Sequence, residues 1–217
     1  AANVDQVILF VTLRQPETST TFIDRFLASA EAYRIPVILL FNKCDLFDDS
    51  DCATVETLKA IYEPMGYSCL VASVTGGVGM EALPPLLEQR VTLLAGHSGV
   101  GKSAFINRLI PGAAARTSEV SEAHQAGMHT TTFSELYPLP SGGGSLIDIP
   151  GVKGFGTFDF EPSEVSHYFR DIFEIGRQCR FSDCLHQNEP GCAVRSALDE
   201  GRLAFSRYES YLSMLGD

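Results

Sequence analysis

Four short segments of this chain consist almost entirely of apolar residues, and patterns of helical spacing separate them. They are residues 7–13, 37–41, 69–72 and 91–95. Between the first two segments, apolar residues recur every three or four positions from Phe22 to Tyr33, as on one face of a helix. Strands that are apolar throughout are typical of a parallel sheet covered by helices, which binds ligands at the carboxyl ends of its strands. The sequence therefore predicts an α/β fold.

The chain length and the change of pattern after residue 157 predict two domains. The 217 residues, 45% of them hydrophobic, suffice for one ordinary core and a small appendage. Helical patterns alone follow residue 157, apart from one segment rich in cysteine and histidine. We predict a sheet domain over residues 1–157 and a small, mostly helical domain over residues 158–217.

Hydropathy and charge exclude several classes of protein. No apolar run approaches the roughly 20 residues of a membrane-spanning helix, and no signal peptide is visible. We expect a soluble, cytoplasmic, monomeric protein without a membrane partner. The net charge of -11 argues against general nucleic-acid binding, so an RNA contact must come from a local patch or from a further segment. Because the first strand begins so early, we expect another domain to precede residue 1.

A glycine-rich octapeptide stands between the strand at residues 91–95 and a helical pattern. It fits the P-loop, whose backbone N–H groups surround phosphates, whose lysine reaches the outer phosphates and whose serine binds magnesium. A glycine-rich turn that contains Lys-Ser by chance is the alternative, and the strand–loop–helix setting disfavours it. The predicted phosphate site consists of Gly96, His97, Ser98, Gly99, Val100, Gly101, Lys102, Ser103 and the following Ala104.

Two further elements of a nucleotide switch follow the P-loop. Asp148 ends a predicted strand and begins an Asp-x-x-Gly motif that closes with Gly151. The carboxylate can hold the water shell of magnesium, and the glycine N–H can sense the outer phosphate. Thr131, at the end of an aperiodic stretch, can complete the magnesium shell together with Ser103. Alone, Asp-x-x-Gly is usually just a turn, and neighbouring threonines can simply start the next strand.

The motif Asn42-Lys43-Cys44-Asp45 follows the apolar segment at residues 37–41. Asp45 would accept hydrogen bonds from N1–H and the 2-amino group of guanine, Asn42 would brace the loop, and Lys43 would cover the ring. An ordinary turn is the alternative, which the P-loop in the same chain disfavours. Ser73 and Val74, at the end of the next strand, can offer a backbone N–H to the guanine carbonyl. We therefore predict specificity for GTP and GDP over adenine nucleotides.

A cluster of potential metal ligands lies in the C-terminal segment. It contains three cysteines and one histidine within fourteen residues, namely Cys179, Cys184, His186 and Cys192. Such a set fills a closed tetrahedral zinc site and leaves no open position for catalysis. Buried cysteines beside a histidine on a helix face are the alternative, but the surrounding residues are polar. We predict one structural zinc ion per chain, which would stabilise a module too small to fold well without it.

The order of these motifs is unusual, because the guanine motif precedes the P-loop. With Gly127-Met128-His129-Thr130-Thr131 and the C-terminal cysteines, this order closely resembles the RsgA (YjeQ) family of GTPases that depend on the small ribosomal subunit. The resemblance covers essentially the whole chain. It implies a circularly permuted GTPase domain, a zinc domain, a separate N-terminal OB-fold domain, and a role in late maturation of the small subunit, with its ribosomal RNA as partner. Val74 and Ala104 depart slightly from the expected motifs.

Hydrolysis needs a residue that orients the attacking water. The position after Gly151 often holds glutamine, but Val152 stands there and cannot donate or accept a hydrogen bond. His129 is the candidate, because it lies beside Thr131 and the resemblance points to the same residue; a solvated loop histidine is the alternative. Two other functions stay open, namely a GTP-dependent ribosome-binding switch with negligible hydrolysis and a P-loop ATPase or nucleotide kinase.

Overall fold

The computed structural model describes residues 3–113, 135–140, 142–148 and 160–216. Its contacts divide the chain into two compact units. The first, which we name the sheet unit, contains residues 1–17, 36–63 and 67–153. The second, the helical unit, contains residues 18–35, 64–66 and 154–217. Residue 157 lies outside the described residues, so the predicted boundary stays a prediction.

The sheet unit is built on six described strands in the order β3-β2-β1-β4-β6-β5. The strands are β1 (Gln6–Val11), β2 (Val37–Phe41), β3 (Ser68–Val71), β4 (Val91–Ala95), β5 (Glu135–Pro138) and β6 (Ser145–Asp148). Neighbouring strands pair in parallel except β5, which pairs with β6 antiparallel. The central strands β1 and β2 are buried along their whole length, which explains why they are apolar throughout. The predicted α/β fold is confirmed.

Three helices of the sheet unit follow strands and lead into the next one. They are α2 (Asp49–Tyr62), α3 (Pro84–Leu87) and α4 (Lys102–Leu109). Between β3 and β4 the chain forms a short 3-10 helix (Met80–Ala82) and then α3, with a break between them. Pro84 and Pro85 explain the break, because proline lacks the N–H that an interior helical position donates.

The helical unit contains α1 (Thr20–Ala32), although that helix lies between β1 and β2 in the sequence. Its other helices are α5 (Pro162–Val165), α6 (Arg170–Gly176), α7 (Ala193–Asp199) and α8 (Phe205–Leu215). Their core includes Ala28 of α1 together with Phe169, Ile172, Val194 and Tyr211. The sequence did not predict that α1 belongs to the helical unit. The spacing of its apolar residues indicates that one face is buried, but it does not identify the elements that cover this face.

Arg207 on α8 joins three parts of the helical unit. Its side chain is 1% exposed and donates to Asp24 of α1 at 2.7 Å and to both carboxylate oxygens of Asp171, at 2.8 and 2.9 Å. The guanidinium also lies 4.7 Å from the ring centroid of Phe169. A buried charge is tolerated because it is paired and hydrogen-bonded on several sides. Within the described residues, no helix has the length and hydropathy to cross a membrane.

Candidate nucleotide site and metal cluster

The predicted nucleotide motifs meet at one edge of the sheet. Parallel pairing aligns Val11 with Phe41, Phe41 with Val71, and Leu94 with Asp148. The residues that follow these strand ends therefore share the carboxyl edge, where α/β sheets bind ligands. The shared edge carries Asn42 after β2, Ser73 after β3, Gly96 after β4 and Asp148 at the end of β6.

The phosphate loop needs its glycines at two close approaches. A Cβ on Gly96 would lie 2.8 Å from the Phe10 carbonyl oxygen, and one on Gly101 would lie 2.4 Å from Asn42 Nδ2. Both residues also have positive φ values, 133° and 111°, which disfavour any side chain. The loop thus passes close to β1 and to the base motif, and α4 begins at Lys102 directly after Gly101. Its N-terminus is the kind of terminus that favours anions.

Lys102 and Asp148 form the charged centre of the edge. Lys102 Nζ donates to the carbonyl oxygens of Gly96 and His97 at 2.7 and 2.8 Å, which holds the side chain across the loop. Burial lowers the pKa of Lys102 and raises the pKa of Asp148, and each charge partly offsets the effect on the other. A lysine beside an aspartate, each favouring the charged form of the other, is the pair of groups that phosphates and a divalent cation require.

Asn42 connects the base motif to the phosphate loop. Its Nδ2 donates to the Val100 carbonyl at 2.8 Å, and its Oδ1 accepts from the Val74 N–H at 3.0 Å. The side chain is 2% exposed, so these bonds form away from water. The bracing role predicted for Asn42 matches this geometry. The Val74 N–H, predicted to face the guanine carbonyl, donates to Asn42 here, so a bound base would have to share it or use the next N–H.

Lys43 and Asp45 lie on the two sides of the same loop. Lys43 has a left-handed backbone (φ 68°) and donates through Nζ to the Gln15 carbonyl. Asp45 is exposed, and its Cβ lies 3.9 Å from where a Cβ on Gly76 would stand. Asp45 and the turn after Ser73 are therefore neighbours, which brings together the two segments that the sequence assigns to the guanine edge.

Arg108 is a residue of this edge that the sequence analysis missed. It lies in the last turn of α4, and its Nη1 donates to the Val74 carbonyl at 3.0 Å and to the Thr75 carbonyl at 3.4 Å. The signal in the sequence is weak, because one arginine six residues after the P-loop lysine is an ordinary exposed helix residue without the fold.

The four predicted metal ligands come together in the helical unit. Ligand atoms of Cys179, Cys184, His186 and Cys192 all lie within 4.8 Å of one another. Cys179 Sγ and Cys192 Sγ are 3.9 Å apart, and each lies 3.5 Å from His186 Nδ1. Around a tetrahedral zinc ion, bond lengths of about 2.3 Å to sulfur and 2.0 Å to nitrogen give separations of about 3.8 and 3.5 Å. The cluster can therefore hold a tetrahedral metal ion.

The electrostatics of the cluster fit a cation. Burial raises the pKa of the Cys184 thiol to about 12 and also raises the pKa of Cys192, so thiolates there need a compensating positive charge. Burial lowers the pKa of His186, which keeps the imidazole neutral and able to act as a ligand. A bound metal ion would supply the positive charge that stabilises both thiolates.

Glu189 and two tyrosines hold the loop around the metal ligands Cys184 and His186. The sequence analysis did not identify these three residues. The Glu189 carboxylate accepts from the N–H groups of Leu185, Gln187 and Asn188 at 2.8 to 3.0 Å. Although burial acts in the opposite sense, these bonds lower the pKa of Glu189. The tyrosine hydroxyls come from α8: Tyr208 donates to the His186 carbonyl at 2.7 Å and Tyr211 to the Leu185 carbonyl at 2.9 Å.

Three residues of the predicted site lie outside the described residues. They are His129, Thr131 and Gly151. The roles assigned to them stay predictions.

Comparison with known proteins gives consistent matches along the whole chain. A sequence model of the RsgA GTPase family matches residues 1–158. The small ribosomal subunit biogenesis GTPase RsgA of Bacteroides fragilis is 55% identical over 217 residues, which is 100% of this chain and 70% of that protein. The protein of the same name from Porphyromonas gingivalis is 54% identical over 218 residues, covering 100% of this chain and 69% of its own length.

Two crystal structures have the same fold. YjeQ from Thermotoga maritima superposes with a TM-score of 0.83 at 39% identity, over 98% of this chain and 70% of that one. YloQ, described as a circularly permuted GTPase, superposes with a TM-score of 0.78 at 32% identity, over 99% of this chain and 68% of that one. The resemblance inferred from the motif order is confirmed. This chain belongs to the RsgA GTPase family and is a GTP-hydrolysing enzyme.

Proposed function

We propose that this chain binds GTP at the carboxyl edge of its sheet and hydrolyses it while acting on the small ribosomal subunit late in its maturation. The observation that carries the nucleotide part is the buried Asn42 side chain, which bonds the P-loop at Val100 and the base loop at Val74. Phosphate and base recognition then form a single site. The names of the related proteins, which are small ribosomal subunit biogenesis GTPases, support the ribosomal part.

Guanine specificity is assigned to Asp45, with Lys43 over one face of the ring. Asp45 is exposed in the loop after β2 and adjacent to the turn after Ser73, so its carboxylate is available to N1–H and the 2-amino group of a base. A site that bonds a substrate amino group rejects a base without one, because its own polar groups are then left unpaired. Adenine nucleotides should bind poorly.

Magnesium would be held by Ser103, Thr131 and, through water, Asp148. Asp148 Oδ1 is buried and has no hydrogen-bond partner among the described residues, which fits an atom that accepts from a water of the magnesium shell. The bound ion would neutralise charge on the outer phosphates. Lys102 then has a separate task, which is to exchange its two carbonyl contacts for the phosphate oxygens.

The cluster of Cys179, Cys184, His186 and Cys192 is proposed to hold one structural zinc ion. Its separations suit tetrahedral zinc, and the four ligands leave no open position. Zinc would therefore stabilise the helical unit and take no part in hydrolysis. We also propose that the chain acts as a monomer in the cytoplasm and contacts ribosomal RNA.

Hydrolysis is proposed to depend on His129 and on the ribosomal subunit. Val152 cannot orient water, so the isolated chain should turn over slowly, within about 10⁻⁴ to 10⁻² per second as unstimulated GTPases do. The subunit would accelerate the reaction by ordering the segment that contains His129 and Thr131. His129→Ala should remove most of this acceleration and leave GTP affinity unchanged, since the histidine would contact the attacking water and not the ground-state nucleotide.

Two measurements test the proposal. Sedimentation with purified small subunits should show binding with a non-hydrolysable GTP analogue and much weaker binding with GDP. Phosphate release under multiple turnover should rise when subunits are added, and His124→Ala serves as a control in the same segment. Wild-type turnover by His129→Ala on saturating subunits would remove the histidine from the mechanism. Subunit binding without any rise in hydrolysis would instead identify a GTP-dependent binding switch.

A further inference from the structure

Arg108 connects α4, the helix that follows the phosphate loop, to the turn after Ser73, which is part of the proposed guanine site. Its Nη1 donates to the carbonyl oxygens of Val74 and Thr75, at 3.0 and 3.4 Å. The guanidinium also lies close to Gly77, where an added Cβ would stand 2.5 Å from Nη2. Both contacts belong to the sheet unit. One side chain of α4 therefore bonds two consecutive peptide groups of this turn and lies close to Gly77.

These bonds fix the direction of the backbone donors. In a trans peptide the C=O and the following N–H point in opposite directions. Because Arg108 holds the Val74 carbonyl toward α4, the Thr75 N–H points away from α4. The remaining groups of the turn are held internally, since Gly76 N–H donates to Ser73 Oγ at 2.8 Å and Gly77 N–H donates to the Ser73 carbonyl at 2.7 Å.

The opposite side of the turn is held by Asn42, which accepts from the Val74 N–H. Asn42, in the loop after β2, therefore holds the peptide group that precedes Val74, and Arg108 of α4 holds the two peptide groups that follow it. The loop of Asp45 has its own supports, because Cys44 N–H donates to the Ala72 carbonyl at 3.1 Å and Leu46 N–H donates to the Lys43 carbonyl at 2.9 Å. Loss of Arg108 would free the turn and leave the Asp45 loop in place.

We propose that Arg108 is a positioning residue for the 6-oxo group of guanine. It sets the backbone N–H of Thr75 toward the base oxygen, whereas Asp45 binds the N1–H and the 2-amino group independently. The inference rests on the proposed guanine site. It adds a residue that lies outside the sequence motifs predicted to bind the nucleotide. It also gives α4, whose first residues face the phosphates, a second role in base recognition through its last turn.

Nucleotides that differ at one exocyclic atom can test this division. In 6-thio-GTP a sulfur atom, a weak acceptor, replaces the 6-oxygen, and ITP lacks only the 2-amino group. Affinities would be measured by competition against a fluorescent GTP analogue for the wild type, Arg108→Ala, Arg108→Lys and the control Asn107→Ala. Asn107 is an exposed neighbour on α4, with its side-chain bond to Gly112 N–H at 3.3 Å.

The wild type should prefer GTP over 6-thio-GTP by about tenfold, the value of one hydrogen bond. In Arg108→Ala this ratio should fall to nearly one, while the preference for GTP over ITP and the kcat at saturating GTP stay within about twofold of wild type. Arg108→Lys should keep part of the ratio, since an ammonium can bond one carbonyl but lacks the planar fork that spans both. Asn107→Ala should behave as wild type.

The outcomes separate this inference from the proposed function. If Arg108→Ala weakens all three nucleotides by one factor with both ratios intact, the arginine merely supports the fold and the inference is wrong. A folded Arg108→Ala with every affinity unchanged overturns it too. A wild type that prefers GTP over ITP but not over 6-thio-GTP overturns the inference and leaves the guanine site standing. A wild type indifferent to both substitutions refutes the guanine site itself.

Discussion

The two units of this protein differ in the contacts that hold them together around their sites. At the edge of the sheet unit, most groups proposed to bind are backbone atoms or residues within a short motif, brought together because parallel strands end at the same level. The metal ligands of the helical unit also form a short motif, but its core and its buried ion pairs join side chains that lie far apart in the sequence. Arg207 and Asp24, for instance, are 183 positions apart. A motif can therefore reveal the nucleotide site and the metal ligands, whereas the contacts that hold the helical unit together require the fold.

Removal of the metal should produce the largest effect and should be confined to the helical unit. A structural zinc site can contribute on the order of 10 kcal/mol, so Cys184→Ser or prolonged chelation should unfold this unit while the sheet unit still binds GTP. Circular dichroism, zinc analysis and a GTP-binding assay on the same samples would show this. Cys52→Ser is the matched control, because Cys52 is an exposed free cysteine outside the cluster. Loss of GTP binding in parallel with helix content would show that the units do not fold independently.

Arg207→Ala should have the next largest effect. Removing one partner of a buried ion pair strands the carboxylates of Asp24 and Asp171 and typically costs about 3–5 kcal/mol. Urea unfolding followed by far-UV circular dichroism would measure the loss. Arg202→Ala is the control, since its bond to Glu200 at 2.7 Å is exposed and such pairs are worth under about 1 kcal/mol. Equal losses in the two variants would mean that the buried network adds nothing beyond an ordinary surface pair.

Asp45→Asn should affect the sheet unit alone and only through its ligand. Hydrogen bonds to a charged group contribute about 1.5–3 kcal/mol, so GTP affinity should fall roughly 10- to 150-fold. Xanthosine triphosphate should gain affinity, because its 2-oxo group can accept from the new amide. Isothermal titration of both nucleotides measures the exchange, with Asp49→Asn on the exposed first turn of α2 as control. Unchanged affinity for both nucleotides would exclude the motif at residues 42–45 as the base site.

The same contrast explains what the sequence could predict. The apolar strands, the P-loop and the metal ligands follow from periodicity and spacing, because their physical requirements are local. Arg108, Glu189 and the α8 tyrosines act through backbone carbonyls and N–H groups, which leave no pattern in the side chains. The inclusion of α1 in the helical unit was equally hidden. A helix between two strands is expected to cover their sheet. Only the Arg207 network and the core that α1 shares with the other helices show that it belongs to the helical unit.

The smallest predicted effect tests that attachment directly. Ser19 caps α1, where its hydroxyl oxygen accepts from the Phe22 N–H at 3.2 Å, and loss of such a cap costs about 0.5–1 kcal/mol. If α1 opens together with the helical unit, Ser19→Ala should lower hydrogen-exchange protection in Thr20–Ala32 and also in α8, because Arg207 transmits the loss. Protection of β2 and α2 should stay as in wild type. Thr57→Ala, an exposed change within α2, is the control and should not lower stability, since alanine favours helix. Loss of protection in α1 alone, or in α1 and β2 but not in α8, would contradict this prediction. Such a result would show that α1 unfolds with its neighbours in the sequence and that Arg207 does not join it to the helical unit in solution.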